Sequence, residues 1–600
     1  MKLLRIPLPS VLALAAVLLA VLAEYLHVFR QADLAALVFF AAALVAWIAA
    51  LSSTHLSIET RAAERTASET NARSVSRALV ASAIGLAALT YLFASDNEFN
   101  SDNVLAWFGS VAVFSYAFWI PGKNAAQWRA WLNERAAQGR DVFSQGIRVS
   151  PRVLLLLAVL LLGVFSSYHD LDRVPAEMDS DHAETILDLN DVLNGARPIY
   201  FERNAGREPL EFYAVATFAA ATNRPLDFMA LKSVTAAFGV LLILATFLLS
   251  RELFEFDVAL VAAALVAIGK WPLALSRLGL RYPLAPLLLA VTLYFLVRAL
   301  KHRRRNDFLM TGLFLGLGAY GFDAFRIMPL LILAFLALWA LIGKLERAQV
   351  SGYIVNCALT LALAAVVLMP LARYAVDHPS IFWSPTVTRL GGGDQPWTAS
   401  PVVIFAENLG SAALMFNGAG DNAWPVNVPG DPALDYVTGG LFLLGVAYAF
   451  YRLVRFGEKT YGFVLIGLAA MLLPSALSLA NPGEDPSLIE AGGAIPFVFI
   501  LAALPVVWTA RAVSGSARAA WGRAAAVGFI VLLVAVSARA NFQRYFGDYD
   551  LVYRQAAWNS SEIAATIRGF AKSIGDSDHA WIIAYPNWVD ARNVGIDMGQ

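Results

Sequence analysis

The sequence predicts an all-α polytopic membrane protein with about 15 transmembrane helices, and three observations support it. Of 600 residues, 58% are hydrophobic and 15% charged, against roughly a quarter charged in an average soluble domain. The apolar residues recur in runs of about 15 to 20, close to the length a helix needs to cross a hydrocarbon layer. The charged residues fall between those runs. Lys plus Arg and Asp plus Glu balance at 45 each, so no net charge points to a nucleic acid partner, and it is the placement of the charges that informs.

In chain order the runs place spans near 11–28, 33–52, 77–95, 104–120, 153–168, 231–250, 257–270, 282–300, 308–321, 326–344, 353–371, 436–453, 461–479, 494–510 and 523–540. The first follows Lys2 and Arg5 and reads as a retained helix. Its apolar run over 11–26 is long for a signal peptide, and no small-x-small cleavage site precedes Glu24. Basic clusters set the orientation: Arg61, Arg65, Arg73 and Arg77; Lys123, Arg129, Arg135, Arg140 and Arg148; then Lys301, His302, Arg303, Arg304 and Arg305. Such clusters belong in the cytoplasm. The loops 169–230, 372–435 and 480–493 and the tail from 541 then lie on the extracytoplasmic side. The expected organisation is four N-terminal helices over 1–120, a basic cytoplasmic linker over 121–152, a transmembrane core over 153–540 and an extracytoplasmic segment over 541–600.

The outer segments differ in character. Within 169–230, Ala183, Leu187 and Leu189 alternate at helical spacing with Asp181, Glu184, Asp188 and Asp191, as in a helix lying at an interface. Loop 372–435 is rich in turn formers, including Gly391, Gly392, Gly393 and Asp394 and the stretch 418–422. In the tail, 560–572 has helical spacing and 580–585 reads as a buried β-strand, the beginning of a small α/β segment that a chain continuing past Gln600 would complete. The single cysteine, Cys357, sits in an apolar run, so there is no intrachain disulfide.

Three clusters have the residue types for chemistry. Glu177, Asp179, Asp181, His182 and Glu184 lie within eight residues just after the fifth span. Carboxylates so placed suit a divalent cation, Mg or Mn, held by Asp179 and Asp181, or a general base; an acidic helix start is the structural alternative. Gly206-Arg207-Glu208-Pro209 closes the same loop, where an arginine suits a phosphate or a loop acid, and Arg203 is an equal candidate for such a pair. Ser276, Arg277 and Arg281 lie between the seventh and eighth spans, on the outer side and against the usual bias, so they suit either an anionic lipid head group or simple snorkelling. Asp323 and Arg326 are placed to pair with each other or to join the same pocket. Trp383, Trp397 and Trp424 fit an interfacial aromatic belt better than a sugar platform.

In this order the clusters resemble the GT-C superfold of membrane glycosyltransferases, particularly bacterial relatives of the protein O-mannosyltransferases and the aminoarabinose transferases, a glycosyltransferase family 39-like pattern. The resemblance covers roughly 153–540. It implies a polyprenyl-phosphate-linked sugar as donor, a glycan, lipid or protein as acceptor, and a bacterial inner membrane with the site facing outward. It assigns the catalytic role to Asp181, with Asp179 as second choice. It also implies binding of substrate or phosphate by Arg207, Glu208, Arg277, Arg281 and His182. His182 stands where those relatives commonly have Glu, and Glu490 where an arginine is usual. A transporter for lipid or sugar, or a non-catalytic envelope protein on the same fold, are the competing readings. With a lipid-linked donor the resemblance implies that no nucleotide is needed on the outer face.

Overall fold

A computed structural model describes residues 7–54, 56–60, 76–121, 127–135, 149–342, 347–391, 397–516, 519–583 and 589–599. Arg61, Arg65, Arg73, Lys123, Arg140 and Arg148 of the basic clusters lie outside these residues, as do Gly392, Gly393, Asp394 and Tyr585.

Each of the fifteen apolar runs is helical. Among the described residues 10 helices are long and apolar enough to cross a membrane, or 11 if the bent pair Phe256–Ile268 and Lys270–Arg277 is one span. The helices at the other expected spans, Arg77–Phe93, Ser101–Phe118, Arg305–Gly318 and Met328–Ile342, are not among these, the last being followed by residues outside the described ones. The bent pair turns by 56° at its break. Pro272 has no N–H to donate to the carbonyl of Ile268, and Gly269 takes an extended conformation there. Asn541 accepts from the backbone N–H of Lys270 that the break frees, at 3.0 Å. The helix Glu490–Gly515 lies at the centre of the bundle, buried along its whole apolar window, whereas Pro151–Tyr168 is largely uncovered.

The four N-terminal helices attach to the core in two pairs. Helices α1 (Leu8–Arg30) and α2 (Asp33–Ser52) pack on each other, and α1 also packs on Tyr436–Phe456 and Ile495–Ser516. Trp47 meets Trp508 edge-on at 5.1 Å, and Ser10 Oγ donates to the carbonyl of Ala512 at 2.8 Å. Helices α3 (Arg77–Phe93) and α4 (Ser101–Phe118) lie instead against Arg347–Asp377, where Trp107 Nε1 donates to the Val367 carbonyl at 2.9 Å. The start of α4 is fixed by a capping box between Asn100 and Asn103.

The loops read as extracytoplasmic gather at one end of the bundle. Loop 169–230 contributes Ser180–Leu193 and the apolar Leu210–Thr222, whose 13 residues are too few to span. On the first of these the packed face is His182, Ala183, Ile186 and Leu189, with Asp188 buried beside them rather than facing water. In the tail, Ser560–Ser573 is helical as expected. Of the expected strand over 580–585, residues 580–583 make no strand pairing, Trp581 and Ile583 are each 86% exposed, and Ala584 and Tyr585 lie outside the described residues, which contain isolated bridges but no strand. An extended segment becomes a buried strand only against a partner edge. Beyond it, Ala591–Met598 packs on Ser180–Leu193.

Candidate active site

The acidic motif separates into four carboxylates with four different environments. Asp179 is the N-cap of Ser180–Leu193: its Oδ1 accepts from the backbone N–H groups of Asp181 at 3.0 Å and His182 at 3.2 Å. His182 returns the bond from the third helical position, its Nδ1 lying 3.0 Å from Asp179 N, so an imidazole does what Glu or Gln does in a capping box. Nε2 donates to the Leu278 carbonyl at 2.7 Å, and in the protonated ring the same Nδ1 donates instead to Asp179 Oδ1, 2.7 Å away. Burial pushes the Asp179 carboxyl up and the His182 imidazole down, but their mutual attraction outweighs it and holds Asp179 below and His182 above its ordinary range. Glu177 caps the tail helix: it accepts from Ser561 N at 3.0 Å and Ser560 Oγ at 3.1 Å. Glu184 pairs with Arg592 of the tail. Asn593, fully buried, donates to the Met178 carbonyl at 3.0 Å and ties the motif to the last helix.

Asp181 is what remains. Its side chain is 40% exposed and lines a cavity of about 480 Å³. Its Oδ1 accepts from Asn204 Nδ2 at 2.5 Å and pairs with Arg207 at 2.9 Å. Its Oδ2 makes no hydrogen bond among the described residues. Arg207 is buried, also donating to the Asp181 carbonyl at 3.0 Å and to Thr185 Oγ1 at 2.7 Å. The backbone of Arg207 is set by an antiparallel bridge to Phe201, with N–H to O distances of 2.7 and 3.1 Å. Gly206 makes the turn possible: its φ is +94°, and a Cβ there would lie 2.5 Å from the Tyr200 ring. Arg203, the other arginine of this loop, pairs with Asp188 and Asp191, each at 2.8 Å.

Across the cavity, Arg281 and Arg326 share one carboxylate. Glu208, 1% exposed, accepts from Arg281 Nε at 3.2 Å and from Arg326 Nη2 at 2.8 Å. Phe322 lies under the Arg281 guanidinium at 5.3 Å, and Phe382 under that of Arg326 at 4.4 Å. Asp323 and Arg326 therefore turn apart, Asp323 lying 3.7 Å from Arg389, which pairs with Glu490 at 2.5 Å. Glu490 thus faces an arginine supplied by another loop. The lining holds Arg207, Arg281 and Arg389 against five carboxylates, including Asp421 and Glu484, so an entering phosphate has to share guanidinium groups that resident acids already orient.

Asp181, Arg207 and Arg281 come together as the sequence suggested; the other expected site residues do not reach the cavity. Arg277 is fully buried, donating to the carbonyls of Ser166 at 2.9 Å, Ser167 at 3.0 Å and Val174 at 2.9 Å, and it lies over Phe546 at 4.8 Å. It is a strut, because the helix that follows the bend at Gly269 is buried along its whole length. His182 and Asp179 are consumed by the cap, and Glu208 acts through the two arginines it holds. The expected metal ligands do not fit a cation: Asp179 is turned into the helix terminus, Asp181 onto Arg207, and among the described residues no three His, Cys, Asp or Glu side chains are grouped to hold one. Asn204, Tyr282 and Arg389 line the cavity and were not singled out by the sequence. Arg389 had a readable signal, since it is a basic residue in a loop the sequence reads as extracytoplasmic, where the positive-inside rule disfavours it.

Beneath the cavity, Glu211 is buried with Oε1 unpartnered among the described residues. Burial raises its carboxyl from an ordinary 4.5 to about 7, opposed by the nearby Arg281, Arg207 and His182. A folded value above the unfolded one means that its favourable contribution is intact below pH 4.5 and is lost as pH rises through about 7. That loss amounts to about 3 kcal/mol. Glu211→Gln is therefore expected to unfold at a higher temperature than the wild type at pH 8 and at about the same temperature at pH 4.5, measured by thermal unfolding in detergent. A difference that is constant over that range is incompatible with a buried carboxyl titrating here.

Residues 208–371 match the family model of the dolichyl-phosphate-mannose-protein mannosyltransferases. The match includes Glu208, Arg281 and Arg326 and begins after the acidic motif. No curated protein sequence matches the chain. Among solved structures it is similar to the archaeal oligosaccharyltransferase AglB from Archaeoglobus fulgidus in complex with an inhibitory peptide and a dolichol-phosphate, with 16% identity, a TM-score of 0.45 and coverage of 71% of this chain and 58% of that one. The chain thus spans less than two thirds of the length of that enzyme. It is also similar to ArnT from Cupriavidus metallidurans bound to undecaprenyl phosphate, with 13% identity, a TM-score of 0.48 and coverage of 74% and 84%. The Pmt1-Pmt2 protein O-mannosyltransferase complex of S. cerevisiae, bound to its sugar donor, is similar over 40% of this chain and 34% of that one, with 18% identity and a TM-score of 0.32. Over residues 208–371 the chain thus carries the sequence pattern of the dolichyl-phosphate-mannose-protein mannosyltransferases.

Proposed function

We propose that the chain is a membrane glycosyltransferase that moves a sugar from a polyprenyl-phosphate donor to an acceptor hydroxyl or amine, in a bacterial inner membrane and on its extracytoplasmic face. The observation that carries this is the isolation of Asp181: of four carboxylates in the motif it alone lines the cavity, with Oδ2 open and Arg207 fixing Oδ1. Oδ2 takes the acceptor proton as the acceptor atom forms its bond to C1 of the sugar. The bond from C1 to the phosphate oxygen breaks, the polyprenyl phosphate leaves with the electron pair, and the anomeric centre inverts. Arg281 and Arg389, held by Glu208 and Glu490, face the side from which the phosphate departs and stabilise its growing charge.

The experiment is transfer of radiolabelled sugar from a panel of polyprenyl-phosphate donors by the purified protein in liposomes. Transfer from at least one donor is expected. No transfer from any donor returns weight to the non-catalytic and transporter readings. The same assay tests metal dependence: because the acidic side chains are engaged with the helix cap and Arg207, transfer is expected to persist in excess chelator. Loss in chelator with recovery on adding Mg or Mn would mean that Asp179 and Asp181 rearrange to take a cation.

A further inference from the structure

The turn between α3 and α4 holds the strand-like segment that carries Arg207. The side-chain amide of Asn97 grips one residue from both sides, Oδ1 accepting from Tyr200 N at 3.0 Å and Nδ2 donating to the Tyr200 carbonyl at 2.9 Å. Its neighbours extend the contact: Ile199 N donates to the Asn97 carbonyl at 2.8 Å, Phe99 N to the Arg197 carbonyl at 2.6 Å, and Arg197 N to Glu98 Oε2 at 2.7 Å. Asn97 sits at φ +57°, a left-handed conformation that asparagine tolerates better than most residues, so the turn presents this side chain at little steric cost.

From Tyr200 the path to the cavity is short and made of backbone bonds. Phe201, the next residue, exchanges two hydrogen bonds with Arg207, and the Tyr200 ring packs against Gly206 closely enough to exclude a Cβ. Arg207 in turn holds Asp181. The far side of the Tyr200 ring packs on Tyr374 and Phe382, at 4.8 and 5.4 Å. The segment 197–201 is thus pinned by α3–α4 on one edge and by the 206–207 turn on the other.

We infer that Asn97 is a positioning residue for the candidate active site and that the α3–α4 pair serves as a brace for the Arg207–Asp181 pair, giving part of the N-terminal extension a role that the core helices do not supply. The structural tie stands on the hydrogen bonds alone; its catalytic consequence rests on the glycosyltransferase reading. A gap of even an ångström between reacting groups has large kinetic effects, so loosening this segment lowers turnover more than it weakens donor binding.

The test uses the full-length protein and Asn97→Gly, which keeps a positive φ available and removes only the side-chain bonds. Hydrogen exchange is read at residues 197–208 and transfer is read as kcat and donor KM per folded molecule. The expected result is exchange about tenfold faster over 197–208 with the membrane helices unchanged, about a tenfold lower kcat, and a smaller change in KM. Asn97→Asp, which keeps the acceptor but not the donor, is expected to fall between the two in exchange. Unchanged exchange over 197–208, or faster exchange with wild-type kcat, overturns the inference. If the wild type transfers no sugar at all, it is the enzyme reading that fails, and the exchange arm still decides whether Asn97 holds the segment.

Discussion

Asp181→Asn removes nearly all sugar transfer, with kcat lowered by about 10²- to 10⁴-fold and donor KM little changed. The substitution is nearly isosteric, and the remaining carbonyl oxygen still accepts from Asn204 and Arg207, the two groups that fix Oδ1. What is lost is the open oxygen able to take a proton. The comparison that gives this result meaning is Asp179→Asn. Asp179 neighbours Asp181 in the motif but is spent on the helix cap and His182, so its loss is expected to lower stability and to leave turnover per folded molecule closer to wild type. Transfer of labelled sugar at matched amounts of folded protein separates the two. Equal transfer by wild type and Asp181→Asn removes Asp181 from the role of base, and a larger loss in Asp179→Asn moves the role to its neighbour.

Glu208→Gln is expected to give the largest loss of stability. Glu208 is the shared counter-ion of Arg281 and Arg326, and all three side chains are mostly withdrawn from water. Taking away one partner of a buried ion pair leaves a charge with neither water nor a counter-ion, which costs about 3–5 kcal/mol. An amide keeps the shape and one acceptor oxygen, so what is measured is the charge. Glu184→Gln, which takes the charge out of the pair with the more exposed Arg592 and leaves Arg592 on Asp590, is expected to cost under about 1 kcal/mol. Thermal unfolding of the three proteins in one detergent, at one pH, reads both. A Glu208→Gln protein as stable as Glu184→Gln contradicts the shared-counter-ion geometry.

The sequence carried the helices well because crossing a bilayer leaves a strong trace: each run of apolar residues is long, and nothing else forms with its backbone groups satisfied in lipid. Among the described residues 10 of those runs, or 11 with the bent pair, form helices long and apolar enough to cross on their own. At residues 580–583 an apolar run looks the same in sequence whether or not a second strand is there to pair, and these described residues show no pairing. At the site, the types and order of residues were legible and their orientation was not. Asp179 and Asp181 are two residues apart in one motif, but the first ends up as a cap and the second faces the cavity, and only the start point of the helix decides between them. Arg277 and Arg281 are four apart and look equivalent, yet one braces three backbone carbonyls and the other meets Glu208.

By itself, then, the chain determined its bundle of apolar helices, the loops where charge collects and the short list of acids and arginines, since these follow from solvent preference and local spacing. The tertiary structure decided which of them share a cavity. Arg389 reaches Glu490 from about a hundred residues away in sequence, the tail takes Glu177 and Glu184 out of the motif, and α3–α4 arrives at Tyr200 from the N-terminal extension. Contacts of that kind depend on where whole helices cross, which is a sum over many distant packing interactions and leaves no periodicity in the residues that finally touch.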